Sequence, residues 1–121
     1  MSRVRIKRAY EPTERGDGIR VLVDRLWPRG LKRDAARIDH WLKGAAPSTE
    51  LRRWFGHDPV HWTEFRRRYR AELAEGAADV AALRTLVKGS RPVTLIYAAR
   101  DLEHNHALVL RDFIASPHRG R

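Results

Sequence analysis

Two arginines and an indole lie where an apolar segment of the sequence ends. In LVDRLWPRGL, Arg25 and Arg29 lie on either side of Trp27, and Gly30 follows. A guanidinium group presents a planar fork of donors that matches a carboxylate or a phosphate. An indole can stack on a planar ligand. These residue types predict an anion-binding loop.

The same loop has an alternative, structural interpretation. Arg25 would then pair with Asp24 or Asp39 and fix the loop, and Trp27 would cover the core. In either case Gly30 would shape the loop, because glycine permits a positive φ or the close approach of a ligand.

A second polar cluster, RDLEHNH, follows the apolar segment VTLIYAA. Asp101 is predicted to cap a last helix over 101–115, with His104 and Asn105 facing a ligand. As an acid–base pair, Asp101 would be the base and His104 the acid. The three letters HNH are contiguous on this predicted helix, which excludes the nuclease motif of that name. His104 and His106 would diverge by about 200° on a helix, so we predict no metal site.

Further polar residues surround a turn in the middle of the chain. Lys43 precedes the turn GAAP, and Ser48 is predicted to cap a helix that ends at Gly56. A helix N-terminus offers N–H groups to an anion, so Lys43, Ser48 and Arg52 would complete a phosphate-sized site. The alternative is an ordinary capped helix with solvated basic residues. His57 is predicted to border the site, and Ser48 lacks the G-x-S-x-G elbow of a nucleophile.

The elements that must position these residues follow from apolar patterning. Continuous apolar segments predict buried strands over 19–24 and 93–99, and looser alternation predicts a half-buried strand over 3–10. Helices are predicted over 34–43 with Asp34 as N-cap, from Ser48 to Gly56, from Asp58 through Trp62, Phe65, Tyr69 and Leu73, over 78–87, and from Asp101 onwards.

Buried strands separated by helices imply parallel pairing with crossover connections. The predicted fold is therefore a single compact, layered α/β domain over 3–115. It has a small, mainly parallel sheet flanked by helices, and a polar tail follows at 116–121. Ligands of such sheets bind outside the carboxyl ends of the strands. Both polar clusters follow those ends, so we expect them to meet at one edge.

Composition limits the classes of protein that fit. The chain has 121 residues, of which 42% are hydrophobic and 33% charged, and no apolar run approaches the ~20 residues that span a bilayer. There is no cysteine, which excludes disulfides, thiolate chemistry and cysteine-ligated zinc. The first residues lack the apolar core of a secretory signal. We expect a cytoplasmic protein with no membrane contact and no cofactor.

The net charge of +10 favours anionic ligands. The excess is uneven, because residues 1–37 carry 11 basic and 5 acidic side chains. However, 21 of the 25 basic residues are arginine and alanine is abundant, which a GC-rich genome would also produce. Charge alone therefore does not identify a nucleic-acid-binding protein.

Several long segments resemble the YeaO-like family of small prokaryotic proteins, the domain of unknown function four-eight-eight. These segments are VDRLWPRGL, WLKGAAPSTELRRWFGHDP, F-x-x-x-Y-x-x-EL and VTLIYAARDLEHNHALVL, and the resemblance extends from about residue 3 to 114. It implies one compact α/β domain in the cytoplasm and assigns no reaction. Longer relatives carry a cysteine-bearing segment where this chain has HNH, so thiol chemistry does not transfer.

Three functional hypotheses follow. In the first, an anionic small molecule, for example a phosphorylated one, binds in a basic crevice at the carboxyl ends of the strands. Arg25, Arg29 and Lys43 would supply charge and Trp27 a wall. In the second, the basic field, including Arg66–Arg68, binds nucleic acid, although this stripe is typical of a solvated helix face. In the third, the chain is a structural or regulatory domain, either monomeric or a homodimer that associates through aromatic surface near Trp54 and Trp62. Whether the protein is an enzyme stays open.

Overall fold

Four short strands pair in parallel into one sheet. The computed structural model describes residues 4–115, so the predicted tail at 116–121 lies outside the described residues. The strands are β1 (Val4–Arg8), β2 (Ile19–Leu22), β3 (His40–Trp41) and β4 (Val93–Tyr97). Their order is β1-β4-β2-β3, and every neighbouring pair is parallel. The predicted α/β fold is confirmed.

Five helices connect and cover the strands. They are α1 (Arg33–Ala36), α2 (Thr49–Phe55), α3 (Trp62–Ala74), α4 (Ala78–Lys88) and α5 (His106–Ala115). The predicted caps of α2 are confirmed, because the Ser48 hydroxyl accepts from Leu51 N and Gly56 adopts φ 55°. Asp58 likewise accepts from Val60 N at the turn that leads into α3. None of the helices within 4–115 is long and apolar enough to cross a bilayer.

The main core lies between one face of the sheet and helices α2–α5. Val21, Leu95 and Tyr97 point into it from the central strands. From α3 come Phe65 and Tyr69, which are among the largest fully buried side chains. The apolar spacing of α3 therefore marks a stripe that packs on the sheet, as the sequence pattern predicted.

The opposite face of the sheet has a thin cover made by the chain between β2 and β3. Leu22 and Ile96 point to this face and pack under Trp27 and Trp41. The two indole rings meet edge to face at 5.5 Å. The Trp27 indole N–H donates to the Leu31 carbonyl oxygen. Trp27 therefore covers the second core as a lid, which agrees with the structural interpretation of this residue and not with stacking on a ligand.

The rest of the second face is held by a buried carboxylate. Asp17 lies 2.6 Å from Arg20 Nη1 and 3.1 Å from Lys7 Nζ, and its carbonyl oxygen accepts from the Thr94 hydroxyl. Burial by itself raises the pKa of Asp17, but hydrogen bonds from Glu14 N, Lys7 and Arg20 outweigh burial and lower that pKa below its ordinary value. Asp17 thus links β1, β2 and β4 on the face opposite the main core, and Arg20 also donates to the Ala36 carbonyl oxygen of α1.

The predicted helix over 34–43 is wrong. Only Arg33–Ala36 is helical, its N-cap is Lys32 rather than Asp34, and Arg37 ends it with φ 51°. The following residues form β3, which pairs with β2, and the Asp39 carboxylate accepts from Arg20 N. A strand here pairs with the otherwise open N–H and C=O groups along the edge of β2. This pairing outweighs the helical spacing of Ile38 and Trp41.

The last helix also begins later than predicted, at His106 rather than after Asp101. Asp101 Oδ1 accepts from the backbone N–H groups of Glu103 and His104 and so closes a turn. Leu102, which falls within the predicted helix, is 62% exposed. Residues 98–105 therefore form a loop beyond β4.

Replacing Asp17 with asparagine is expected to lower the free energy of unfolding by about 3 kcal/mol at neutral pH, because Lys7 and Arg20 would lose a buried countercharge. The lowered pKa of Asp17 adds stability above the ordinary aspartate pKa of about 4, and this stability is lost as the pH falls through the folded-state value. Urea unfolding across acidic and neutral pH should show that this part of the pH dependence is missing in Asp17→Asn.

The matched control is Glu14→Gln, which alters a 73% exposed partner of the same Lys7. We expect it to change the free energy of unfolding by less than about 0.5 kcal/mol. Equal losses in the two variants would contradict the role assigned to Asp17.

Candidate functional site

A crevice with a cavity volume of about 670 Å³ opens where β2 and β4 end. Its walls come from the loops that follow these strands, from α2 and from the start of α5. The apolar part of the lining consists of Leu26, Ala46, Pro47, Phe55, Phe65, Ala98 and Ala99. The crevice therefore lies at the edge of the sheet where ligands were predicted to bind.

Asp24 joins the two strand ends that frame the crevice. Its Oδ2 accepts from Ala98 N at 3.0 Å, and its carbonyl oxygen accepts from the Trp41 indole. Its Oδ1 lies 3.1 Å from Nε2 of His106, and the same ring nitrogen is hydrogen-bonded to the Val23 carbonyl oxygen. One carboxylate oxygen thus ties the end of β2 to the loop after β4, while the other, which is buried and has no hydrogen-bond partner among residues 4–115, contacts the first residue of α5.

Four arginines line the crevice: Arg25, Arg52, Arg53 and Arg100. None of them belongs to an ion pair among residues 4–115. By contrast, Arg20 and Arg67 hold carboxylates at 2.6 Å. The crevice therefore holds four guanidinium groups outside ion pairs, and the two carboxylates of its lining, Asp24 and Asp101, contact histidines instead.

Arg25 is held by the backbone of the facing wall rather than by an acid. Its guanidinium group donates to the carbonyl oxygens of Ala46 and Pro47 at 3.2–3.3 Å. The adjacent Ala45 carbonyl oxygen accepts from the buried Tyr69 hydroxyl at 2.5 Å. The predicted alternative pairing of Arg25 with Asp24 or Asp39 does not occur.

The segment that carries Arg52 and Arg53 is fixed to α3. Glu72 accepts from Ser48 N at 2.9 Å and from the Ser48 hydroxyl at 2.6 Å. The same hydroxyl caps α2 through Leu51 N. Ser48 therefore orients the helix that bears the arginines, but it is not part of the crevice lining.

Asp101 and His104 form a carboxylate–imidazole pair on the crevice wall. Asp101 Oδ2 lies 3.0 Å from His104 Nδ1. Hydrogen bonds from Glu103 N and from His104 outweigh partial burial and lower the pKa of Asp101. The Trp62 ring meets the His104 ring edge to face at 5.4 Å. The two predicted acid–base candidates are therefore in direct contact.

Asn105 lines the crevice but serves mainly as the N-cap of α5. Its Oδ1 accepts from Leu108 N and its Nδ2 donates to the Asp101 carbonyl oxygen, and the residue is 2% exposed. The amide therefore has partners for both of its polar ends within the fold.

His57 enters the crevice from the turn that ends α2. Its backbone has φ 58°, directly after Gly56 with φ 55°. A left-handed conformation is uncommon for a residue with a side chain. His57 is exposed, and its ring lies 6.1 Å from that of Phe55. The turn thus places an imidazole at the mouth of the crevice.

Four predicted site residues are absent from the lining. Trp27 is the lid described above, and Ser48 is a cap. Arg29 is exposed, and its carbonyl oxygen accepts from the Tyr10 hydroxyl. Lys43 lies 4.2 Å from the centre of the Trp41 ring. Arg25, Arg52, His57, Asp101, His104 and Asn105 are the predicted residues that do line it.

Sequence reasoning missed Arg53, Arg100, Asp24 and His106 as lining residues. Asp24 ends the predicted strand 19–24 and Arg100 directly follows the predicted strand 93–99, so the expectation that ligands bind at the carboxyl ends of strands could have selected both. Arg53 is next to Arg52 on a helix of two turns, and only its packing decides which way it points. His106 could have been recognised as a lining residue only if the start of α5 had been predicted correctly.

The two alternative hypotheses place partners on surfaces outside the crevice. Arg67 and Arg68 on α3 both contact Glu64, at 2.6 and 2.8 Å. Arg68 also lies 4.3 Å from the ring centre of Trp54, and Trp62 packs against the core. These contacts engage part of the arginine stripe and cover the aromatic rings. Among residues 4–115, no group of three or more His, Asp or Glu side chains could hold a metal.

Comparison with known proteins identifies the family. Residues 3–120 match the family described as the inactive DUF488-N3 subclade. The chain is 45% identical to the uncharacterized protein YeaO of Escherichia coli, over 93% of this chain and 97% of that protein. It is also 45% identical to the uncharacterized protein Rv3073c of Mycobacterium tuberculosis, over 93% of this chain and 94% of that protein.

The chain therefore belongs to the YeaO-like DUF488 family, which confirms the resemblance seen in its motifs. No solved structure matches it.

Replacing Asn105 with alanine is expected to lower the free energy of unfolding by about 2 kcal/mol, because α5 would lose its cap and the Asp101 carbonyl oxygen its donor. Chemical denaturation measures this change. Glu103→Ala, an exposed neighbour, should change stability by less than about 0.5 kcal/mol. A stable Asn105→Ala variant that instead loses anion affinity would contradict the capping role.

Proposed function

We propose that this member of the YeaO-like DUF488 family binds an anionic small molecule in the crevice at the carboxyl ends of β2 and β4. Arg25, Arg52, Arg53 and Arg100 would supply the charge. The observation that carries the proposal is that these arginines converge on one cavity without a carboxylate partner. An anion would relieve their mutual repulsion and receive several charged hydrogen bonds.

The size and lining of the crevice favour a small molecule. Its volume of about 670 Å³ falls within the range of small-molecule sites in proteins. Phe55, Phe65 and Leu26 supply apolar surface to its lining beside the charges. The preferred ligand would therefore carry a phosphate or carboxylate on an apolar or planar body.

Binding without turnover is the form of the proposal that fits this chain. The matching subclade is described as inactive. The chain has no cysteine, and the Ser48 hydroxyl is engaged by Glu72 and by the backbone of α2. Asp101 and His104 are then binding residues.

A small anion is favoured over nucleic acid as the ligand. The crevice is concave and bounded, whereas a nucleic acid needs an extended basic track. On α3, Glu64 engages two of the arginines that would form such a track.

The proposal is tested with the variant Arg52→Gln/Arg53→Gln in a thermal-shift screen of inorganic phosphate, phosphorylated metabolites and carboxylates, followed by titration calorimetry. We expect the wild-type protein to bind members of this set. The double variant should bind them at least tenfold more weakly, since charged hydrogen bonds contribute about 1.5–3 kcal/mol each.

The matched control is Lys88→Gln/Arg91→Gln, which likewise removes two exposed positive charges, at the end of α4 and just before β4, at the opposite edge of the sheet. It should leave affinity nearly unchanged beyond a small screening effect. Equal weakening by both substitutions would show that the net charge, and not the crevice, attracts the anion.

A further inference from the structure

The Asp101–His104 pair has a feature that anion binding alone does not use. Asp101 Oδ2 lies 3.0 Å from His104 Nδ1. A carboxylate only accepts hydrogen bonds, so a neutral His104 ring must carry its proton on Nδ1. Its Nε2 is then an acceptor, and among residues 4–115 no partner of Nε2 is observed.

The orientation of this pair is fixed from several sides. Asp101 Oδ1 accepts from Glu103 N at 2.9 Å and from His104 N at 3.0 Å, so the carboxylate has one rotational setting. The edge-to-face contact with Trp62 positions the imidazole ring. The His104 side chain is 29% exposed and lines the crevice. A ligand can therefore reach this ring.

We propose that Asp101 holds His104 as a hydrogen-bond acceptor in the crevice, so that the protein selects anions that also carry an O–H or N–H donor. This inference rests on the proposed function, because the arginines would hold the charged group while His104 Nε2 accepts from the rest of the ligand. An anion without such a donor leaves the acceptor unpaired in the complex and binds more weakly. Asp101 is a positioning residue that acts through His104.

Asp101→Asn tests the inference with almost no change of shape. The asparagine oxygen should stay with the two backbone N–H groups that Oδ1 now serves, so its NH₂ group points at His104 Nδ1. That nitrogen then becomes the acceptor, and the ring proton moves to Nε2. The substitution therefore turns the free ring nitrogen of His104 from an acceptor into a donor.

The first measurement is the tautomer itself, from long-range proton–nitrogen NMR spectra of the labelled full chain near pH 8.5, where a free imidazole is neutral. The His104 signals are assigned by their absence in His104→Gln. We expect Nδ1–H in the wild-type protein and Nε2–H in Asp101→Asn. The control Glu103→Gln, which removes the neighbouring exposed carboxylate, should retain Nδ1–H. A wild-type ring protonated on Nε2 would overturn the inference.

The second measurement is selectivity, with benzoate and the ortho, meta and para isomers of hydroxybenzoate and methoxybenzoate as probes. In the wild-type protein and in Glu103→Gln, at least one hydroxyl isomer should bind about three- to tenfold more tightly than its methoxy counterpart. Asp101→Asn should abolish or reverse this ratio. A ratio that survives Asp101→Asn would overturn the inference.

The outcomes separate this inference from the proposed function. If the benzoates bind through Arg52 and Arg53 but show no preference for a hydroxyl group, the inference is wrong and the proposed function stands. If neither the benzoates nor inorganic phosphate binds, both are wrong.

Discussion

The parallel pairing of β2 with β4 is the constraint on which the crevice depends. Val23 N donates to the Ile96 carbonyl oxygen one residue beyond the paired register, and Asp24 then accepts from Ala98 N. The two strands end at the same edge of the sheet, so the loops that follow them must form facing walls. Because parallel neighbours end at the same edge, residues that are more than seventy positions apart in sequence become neighbours.

A rigid frame holds the crevice, while its charges stay largely unpaired. Tyr69 and Glu72 of α3 fix Ala45 and Ser48 through hydrogen bonds. The backbone between those two residues accepts from Arg25, and the Ser48 hydroxyl caps α2. Among residues 4–115, Asp24 Oδ1 and His61 Nδ1 are the buried side-chain polar atoms that lack a hydrogen-bond partner. Concentrating arginines beside one another opposes folding through repulsion, and a ligand that binds only the folded state would offset that cost.

Much of this architecture follows from local sequence signals. The apolar segments that became β2 and β4, the cap at Ser48 and the stripe from Trp62 to Leu73 have strong short-range causes, and all are present in the structure. The segment 34–43 was mispredicted because its helical apolar spacing equally serves a lid and an edge strand. Only the unpaired edge of β2 decides between them, and that information is not local.

In the candidate site, too, local sequence signals predict some features, while non-local contacts decide others. The expectation that ligands bind at the carboxyl ends of strands correctly placed Arg25 and His104 at one edge. It also selected Arg29, whose position depends on the path of the loop around Gly30. At Gly30 the backbone has φ 77°, and an added Cβ would meet no protein atom within 4 Å, so the positive φ and not crowding by the rest of the fold accounts for the glycine. Side-chain direction within a loop depends on packing partners that the sequence pattern does not specify.

The central claim is that the arginine-lined crevice is where this protein holds an anion. Its most direct test is an anomalous difference map from crystals soaked in selenate, a tetrahedral anion that is visible by its selenium. The strongest protein-bound peak should lie within the crevice, in contact with guanidinium groups of Arg52, Arg53 or Arg100. A crevice without a peak, while selenate occupies the arginines of α3 or other surface sites, would contradict the claim.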